Sequence, residues 1–254
     1  MTGVVLTPKA PPPWPVDLAA LLPAALAGQS AADIERMTLG RLAVGDLFAV
    51  RPGDAAALVI AGGSALYDRI GAGMTEGSLR VEGDAGEGVA AGLRGGEIVI
   101  GGNVGDHLGG VAPQGRAGMA GGVVVVRGGA GAGAGDRMRR GTLVVEGGCG
   151  PHAASRMIAG TLVICGAAGA APGTMMRRGT LLLGRAPSAL PPTFVAAGMA
   201  ADGVFLRLLA RALQRVSPRA AACAAAVRRR LIGDLASLGK GEILLAESVS
   251  DAGG

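Results

Sequence analysis

A repeat of 19 residues through the middle of the chain constrains the fold more than any other feature. The segments GSLRVEGDAG at Gly77, GEIVIGGNVG at Gly96, GVVVVRGGAG at Gly122, GTLVVEGGCG at Gly141 and GTLVICGAAG at Gly160 are copies of one pattern. A shortened copy, GTLLLG, begins at Gly179, and the step from Gly96 to Gly122 carries an insertion of seven residues. A unit this short cannot bury a face alone, so the copies must stack, each on its neighbours.

Each full copy has a glycine at its start, a second at Gly83, Gly102, Gly128, Gly147 or Gly166, and a third three residues later. Such positions suit a corner with positive φ, or a place where stacked backbones leave no room for a Cβ. Between the first two glycines lies a strand with an apolar pair: Leu79/Val81, Ile98/Ile100, Val124/Val126, Leu143/Val145, Leu162/Ile164 and Leu181/Leu183. Strand side chains alternate between faces, so both members of a pair point the same way. Stacked at the usual strand spacing, about 4.8 Å, the pairs form aliphatic ladders. A second ladder, three residues before each opening glycine, is Met74, Leu93, Met119, Met138, Met157 and Met176. Met fills irregular core gaps, so this stripe is read as interior rather than as a soft-metal site.

The expected fold is mainly β: a right-handed parallel β-helix with an N-terminal cap and C-terminal α-helices. The handedness follows the usual chirality of parallel crossovers. Three regions are expected: a cap over residues 1–56, the β-helix over 57–184 with a degenerate first coil at 57–74, and a C-terminal helical cap over 185–254 ending in a short strand. Helices are predicted at Asp17–Ala27, at 203–216 and at Arg219–Leu238, and the final strand at Glu242–Leu245. On the 203–216 helix, Phe205, Leu208, Leu209, Ala212 and Val216 are expected to face one way and Arg207, Arg211 and Arg215 another. The residue between each apolar pair (Arg80, Val99, Val125, Val144, Val163, Leu182) should point outward. An apolar stripe of this kind needs a cover, either the C-terminal helices or another protein.

Composition narrows the function. The chain has 47 glycines, one Trp, one Tyr and three Phe, with a net charge of +5. Lys9 and Lys240 are the only lysines among its 24 basic residues. An acidic partner fits this charge, but single-stranded nucleic acid would need aromatic platforms that the chain lacks. Cys149, Cys165 and Cys223 show no CxxC spacing and are read as small buried groups in a reducing compartment. No apolar run reaches the roughly 18 residues of a membrane span, and no signal peptide is evident, so a cytoplasmic location is expected. His107 and His152 have no metal-ligand spacing, the carboxylates of the repeat are scattered singly, and no nucleophile motif occurs. No catalytic or metal site is therefore expected. His107, in GNVGDHLGG beside the insertion, marks a candidate contact loop.

The runs GNVGDHLGG, GMAGGVVVVRG, GDRMRRGTLVVEG, SRMIAGTLVICG and MRRGTLLLG resemble the C subunit of the formylmethanofuran dehydrogenase family, most closely its form in the bacterial formyltransferase/hydrolase complex. LPPTF, VFLRLLARAL and GDLASLGKGEILL in the flanks extend the resemblance over nearly the whole chain. The repeat alone is shared with the glutamate synthase large subunit. The resemblance implies a non-catalytic scaffold in a cytoplasmic hetero-oligomer with formyltransferase and zinc amidohydrolase subunits. Such a complex passes a formyl group from tetrahydromethanopterin to methylofuran or methanofuran and releases formate in formaldehyde oxidation. The related archaeal complex is a molybdenum or tungsten enzyme. A glutamate-synthase-like spacer and a free-standing solenoid for an acidic ligand are the alternatives.

Carriers in this family bear glutamate-rich tails. Arg137, Arg139, Arg140, Arg156, Arg177 and Arg178 gather around the corners of successive coils, and Arg207, Arg211 and Arg215 form a second group. Arg139, Arg140, Arg177 and Arg178 are the candidate residues for binding such a tail, since the planar guanidinium pairs well with carboxylates.

Overall fold

The computed structural model describes residues 3–53, 55–198 and 203–247. The chain opens with β1 (Gly3–Pro8), the short β2 (Val16–Asp17), α1 (Pro23–Leu26) and α2 (Ala31–Arg36). A hairpin of β3 (Thr38–Leu39) and β4 (Leu42–Ala43) leads through α3 (Val44–Leu47) into β5 (Phe48–Arg51). The expected helix over Asp17–Ala27 shrinks to α1. Val16 and Asp17 are instead extended and pair with β7 (Tyr67–Asp68), and Pro23 occupies the first helical turn, where its missing N–H costs nothing.

The repeats form the body. β6 (Ala55–Ile60), β8 (Ser78–Val81), β9 (Glu97–Ile100), β10 (Ala120–Val126), β11 (Arg140–Val145), β12 (Thr161–Ile164) and β13 (Arg178–Leu183) pair in parallel, each with the next. The register matches equivalent repeat positions: Leu58, Leu79, Ile98, Val124, Leu143, Leu162 and Leu181 form one continuous row. A second parallel ladder of single bridges joins Ala85, Val104, Ala130, Cys149 and Ala168. The apolar pairs and the whole Met/Leu ladder are buried in one core.

Two kinds of glycine keep the coils close. The opening glycines have left-handed backbone, with φ +95° at Gly141. The second and third glycines answer to crowding: a Cβ on Gly147 would lie 2.7 Å from the carbonyl carbon of Gly128 in the adjacent coil.

After β13 come β14 (Val195–Ala197), α4 (Val204–Gln214), α5 (Pro218–Ala225), β15 (Val227–Gly233) and β16 (Lys240–Ala246). The helix expected over Arg219–Leu238 is therefore corrected: it ends at Ala225, and Val227–Gly233 is a strand. β16 adds in parallel to β13, and β15 then pairs with β16 antiparallel. The partner edge outweighs the helical preference of the alanine-rich segment before it. Among the described residues the sheet has twelve strands in the order β14-β15-β16-β13-β12-β11-β10-β9-β8-β6-β1-β5. It is mostly parallel, with antiparallel strands at both ends.

Candidate functional site

The three residues before an opening glycine place one side chain in the core and two at the surface. In MRRG (138–141) and MRRG (176–179) the methionine is buried, and both arginines are exposed at the start of their strands. The coil between them reads MIAG, so Ile158 and Ala159 occupy the intervening step. An open groove of about 310 Å³ results, walled by Arg139, Arg140, Arg177 and Arg178 over a floor of Ile158, Ala159 and Leu238. The two arginine pairs are two coils apart, about 10 Å at the usual strand spacing. None of the four makes an ion pair with a described residue.

Lys240 extends this row. The register pairs Arg178 with Lys240 and, behind it, Gly179 with Gly241. The segment GEILL at 241–245 is thus a further copy of GEIVI at 96–100, displaced by 62 residues from Gly179 and returning to the same register. Its likeness to GEIVI was the available signal; the interval hid it.

Arg137 and Arg156 do not join the groove. They precede the buried methionines at turn positions with positive φ, and Arg156 forms a two-pronged pair with Asp136, Nε to Oδ1 at 3.0 Å and Nη2 to Oδ2 at 2.9 Å. Three other carboxylates of the stack tie coils or helices together. Asp84 accepts from the Asn103 amide at 2.7 Å and Asp106 from the Ala132 amide at 2.7 Å, each in the next coil. Glu146 accepts from Arg127 and from the Ser217 hydroxyl, the latter at 2.5 Å.

That last bond anchors the cover over the outer stripe. Ser217 is fully buried and also caps α5 by accepting from the Ala220 amide at 3.1 Å. Val125, Val144, Val163 and Leu182 form a second core with Leu213, Ala220, Ala221 and Ala224 from the helices and Leu244 from β16. The C-terminal helices therefore cover most of the stripe, while Val99 is only half-buried. The covering face of α4 differs from the expected one. Leu206, Leu209, Ala210, Leu213 and Val216 pack inward, whereas Phe205, Leu208 and Ala212 are exposed. α4 carries apolar residues on two sides, and the packing direction set by the Ser217 turn selects between them.

His107 is exposed at a turn with φ +61°, its amide bonded to the Ala132 carbonyl, and His152 repeats that turn two coils on. Among the described residues no three His, Cys, Asp or Glu side chains gather as a metal-ligand cluster. Burial pushes the Cys149 thiol up to about 12. Cys165 and Cys223, 58 residues apart in sequence, meet thiol to thiol in the second core; the hydrogen bond to Cys223, together with burial, raises Cys165. No described helix is long and apolar enough to cross a membrane.

These features define a class: a β-rich protein of stacked glycine-cornered coils, flanked by packed helices, whose open groove is chemically suited to anions. No family model matches the sequence. A curated relative, the C subunit of the formyltransferase/hydrolase complex Fhc of Methylorubrum extorquens, is 44% identical over 79 residues, a match spanning 30% of this chain and 30% of that relative. A chain in the crystal structure of the formyltransferase/hydrolase complex (FhcABCD) from Methylorubrum extorquens in complex with methylofuran superposes with a TM-score of 0.83. It is 40% identical, over 96% of this chain and 99% of that one. The chain belongs to the family of the C subunit of the formyltransferase/hydrolase complex.

Proposed function

We propose that the chain is the scaffold subunit of a formyltransferase/hydrolase complex, with the catalytic groups on its formyltransferase and hydrolase partners. The complex would transfer a formyl group from tetrahydromethanopterin to methylofuran or methanofuran and release formate. The observation that carries this reading is the 40% identity over 96% of the chain to a component of such an assembly. The scaffold is a right-handed parallel β-helix over about 57–184, between a cap at 1–56 and a C-terminal unit at 185–254. In-register parallel strands joined by short crossovers support that winding.

The groove gives the scaffold a second task, holding the carrier's glutamate-rich tail. An extended chain advances about 3.4 Å per residue, so the two arginine pairs would meet carboxylates about three residues apart. Arg139, Arg140, Arg177 and Arg178 are free to make those contacts, and Lys240 lengthens the track. Individually weak exposed contacts let a tail slide rather than lock.

Co-expression of the tagged chain with the formyltransferase and hydrolase subunits tests the assembly: co-elution supports it, and a chain that elutes alone overturns it. Replacing Arg139, Arg140, Arg177 and Arg178 with Gln in the assembled complex tests the groove. At low salt, KM for a long-tailed carrier should rise roughly tenfold, as four weak surface pairs are lost. The effect should fade at physiological ionic strength, where screening acts over about 8 Å. Equal changes for a tailless carrier, with the complex intact, would refute the groove's role.

A further inference from the structure

The C-terminal helices cover the coil stack, but α4 keeps an outward apolar face that no described residue covers. Val204 is 41% exposed, Phe205 51% and Leu208 62%. These three, at positions i, i+1 and i+4, lie on one side of the helix, so their exposed apolar surface is contiguous rather than scattered. Arg207, Arg211 and Arg215 recur every four residues beside them. On the far flank of those arginines a groove of about 560 Å³ runs between α4 and α5, with alanines (Ala210, Ala221, Ala222 and Ala225) along its floor.

The charges that this segment itself carries are of one sign. From Gly203 to Gly233 every charged residue is an arginine, and no carboxylate occurs. Arg230 pairs with Glu242 at 2.8 Å, and Arg228 lies 3.8 Å from Glu247. Arg207, Arg211 and Arg215 make no ion pair with a described residue. An apolar strip, a cationic ridge and a small-residue groove thus lie side by side, and each makes a separate demand on an occupant.

We infer that the outer face of α4, with the α4–α5 groove, is the docking surface for a partner subunit that presents an amphipathic segment bearing carboxylates beside an apolar ridge. The apolar ridge covers Val204, Phe205 and Leu208, and the carboxylates meet the three arginines. Exposed Phe and Arg side by side are the residue types enriched at protein interfaces. A narrow groove floored by alanine accepts a ridge of side chains at close approach, as in helix-in-groove recognition. A second copy of this chain fits poorly, because a two-fold contact would oppose one arginine row to another.

The inference rests on the proposed membership of a formyltransferase/hydrolase complex, and the test separates the two. The full-length chain is co-expressed with the formyltransferase and hydrolase subunits as wild type, as Phe205→Ser/Leu208→Ser and as Arg207→Glu/Arg211→Glu/Arg215→Glu. All substituted side chains are exposed, so melting temperatures should stay within a few degrees of wild type. Each variant should lower affinity for a partner subunit at least tenfold by titration, and added NaCl should weaken wild-type binding. Co-elution of both variants with wild-type stoichiometry overturns this surface and leaves the functional reading standing. Failure of the wild type to co-elute overturns both. Two further results count against a protein partner of this chemistry: a wild-type dimer by light scattering that both variants dissolve, or sedimentation of wild type alone with phosphatidylglycerol vesicles.

Discussion

Gly147→Ala tests the stacking argument in its sharpest form. The added Cβ would lie 2.7 Å from both the carbonyl carbon and oxygen of Gly128, and 2.8 Å from the Gly129 nitrogen. All three are backbone atoms of the adjacent coil and cannot rotate away. Carbon atoms rest at about 3.5 Å or more, so the two coils must part by about 0.8 Å at this corner. Overpacking costs about 1–3 kcal/mol. The shift also strains the bonds from the Gly147 amide to Gly128 and from the Gly166 amide to Gly147, both at 2.9 Å and worth about 1 kcal/mol each. The expected loss is about 4 kcal/mol, which lowers Tm by about 12 °C in a chain of this size. Gly73→Ala is the control: it has φ +70°, and nothing lies within 4 Å of its added Cβ. Only the left-handed backbone is penalised there, by about 1 kcal/mol, or about 3 °C. Circular dichroism melts of the two variants decide the matter. If Gly147→Ala falls no further than Gly73→Ala, the coils are not in close backbone contact.

Met138→Asp places a carboxylate in a fully buried apolar stack and should cost several kcal/mol; an unchanged melt contradicts an interior Met ladder. Val144→Lys with Val163→Lys should loosen the helices from the sheet, seen as faster amide exchange in α5; unchanged protection with unchanged Tm contradicts the second core. Burial pushes the Asp234 carboxyl up, but bonds from the Met175 and Ala236 amides, at 2.8 and 2.9 Å, help hold it below its ordinary value. A lowered folded pKa stabilises above the unfolded value, near 3.9, and that contribution is lost as pH falls through the folded value. Asp234→Asn should therefore be less stable than wild type at pH 6, with the gap shrinking towards pH 3; a gap independent of pH contradicts the linkage.

The parts of the fold legible in sequence were those fixed by repetition. Six ladder positions at a constant offset from glycine placed Met138 and its equivalents in the core. The same offset brought Arg139, Arg140, Arg177 and Arg178 together, because residues one period apart must stack. Local pattern stops being informative where tertiary partners decide. The Arg219–Leu238 segment has an alanine-rich start that favours helix, yet Val227–Gly233 is drawn into strand by the open edge of β16. On α4, size and spacing selected Phe205, Leu208, Leu209, Ala212 and Val216, of which packing against the sheet turns only Leu209 and Val216 inward, together with Leu206, Ala210 and Leu213. Lys240 was invisible as a neighbour of Arg178 because its repeat copy lies beyond the helices.

That displaced copy has a consequence for how the protein comes into being. From β10 to β13 each repeat docks on the one synthesised just before it, closing loops of about one period. β16 must instead find β13 across 62 residues, a closure costing about 1 kcal/mol more by loop entropy. Until residues 204–227 have left the ribosome and folded back, Val125, Val144, Val163 and Leu182 stand bare on an otherwise finished stack. The nascent chain thus passes through an obligatory stage with a long apolar stripe open to water. The time taken to synthesise residues 184–246 sets how long that stage lasts.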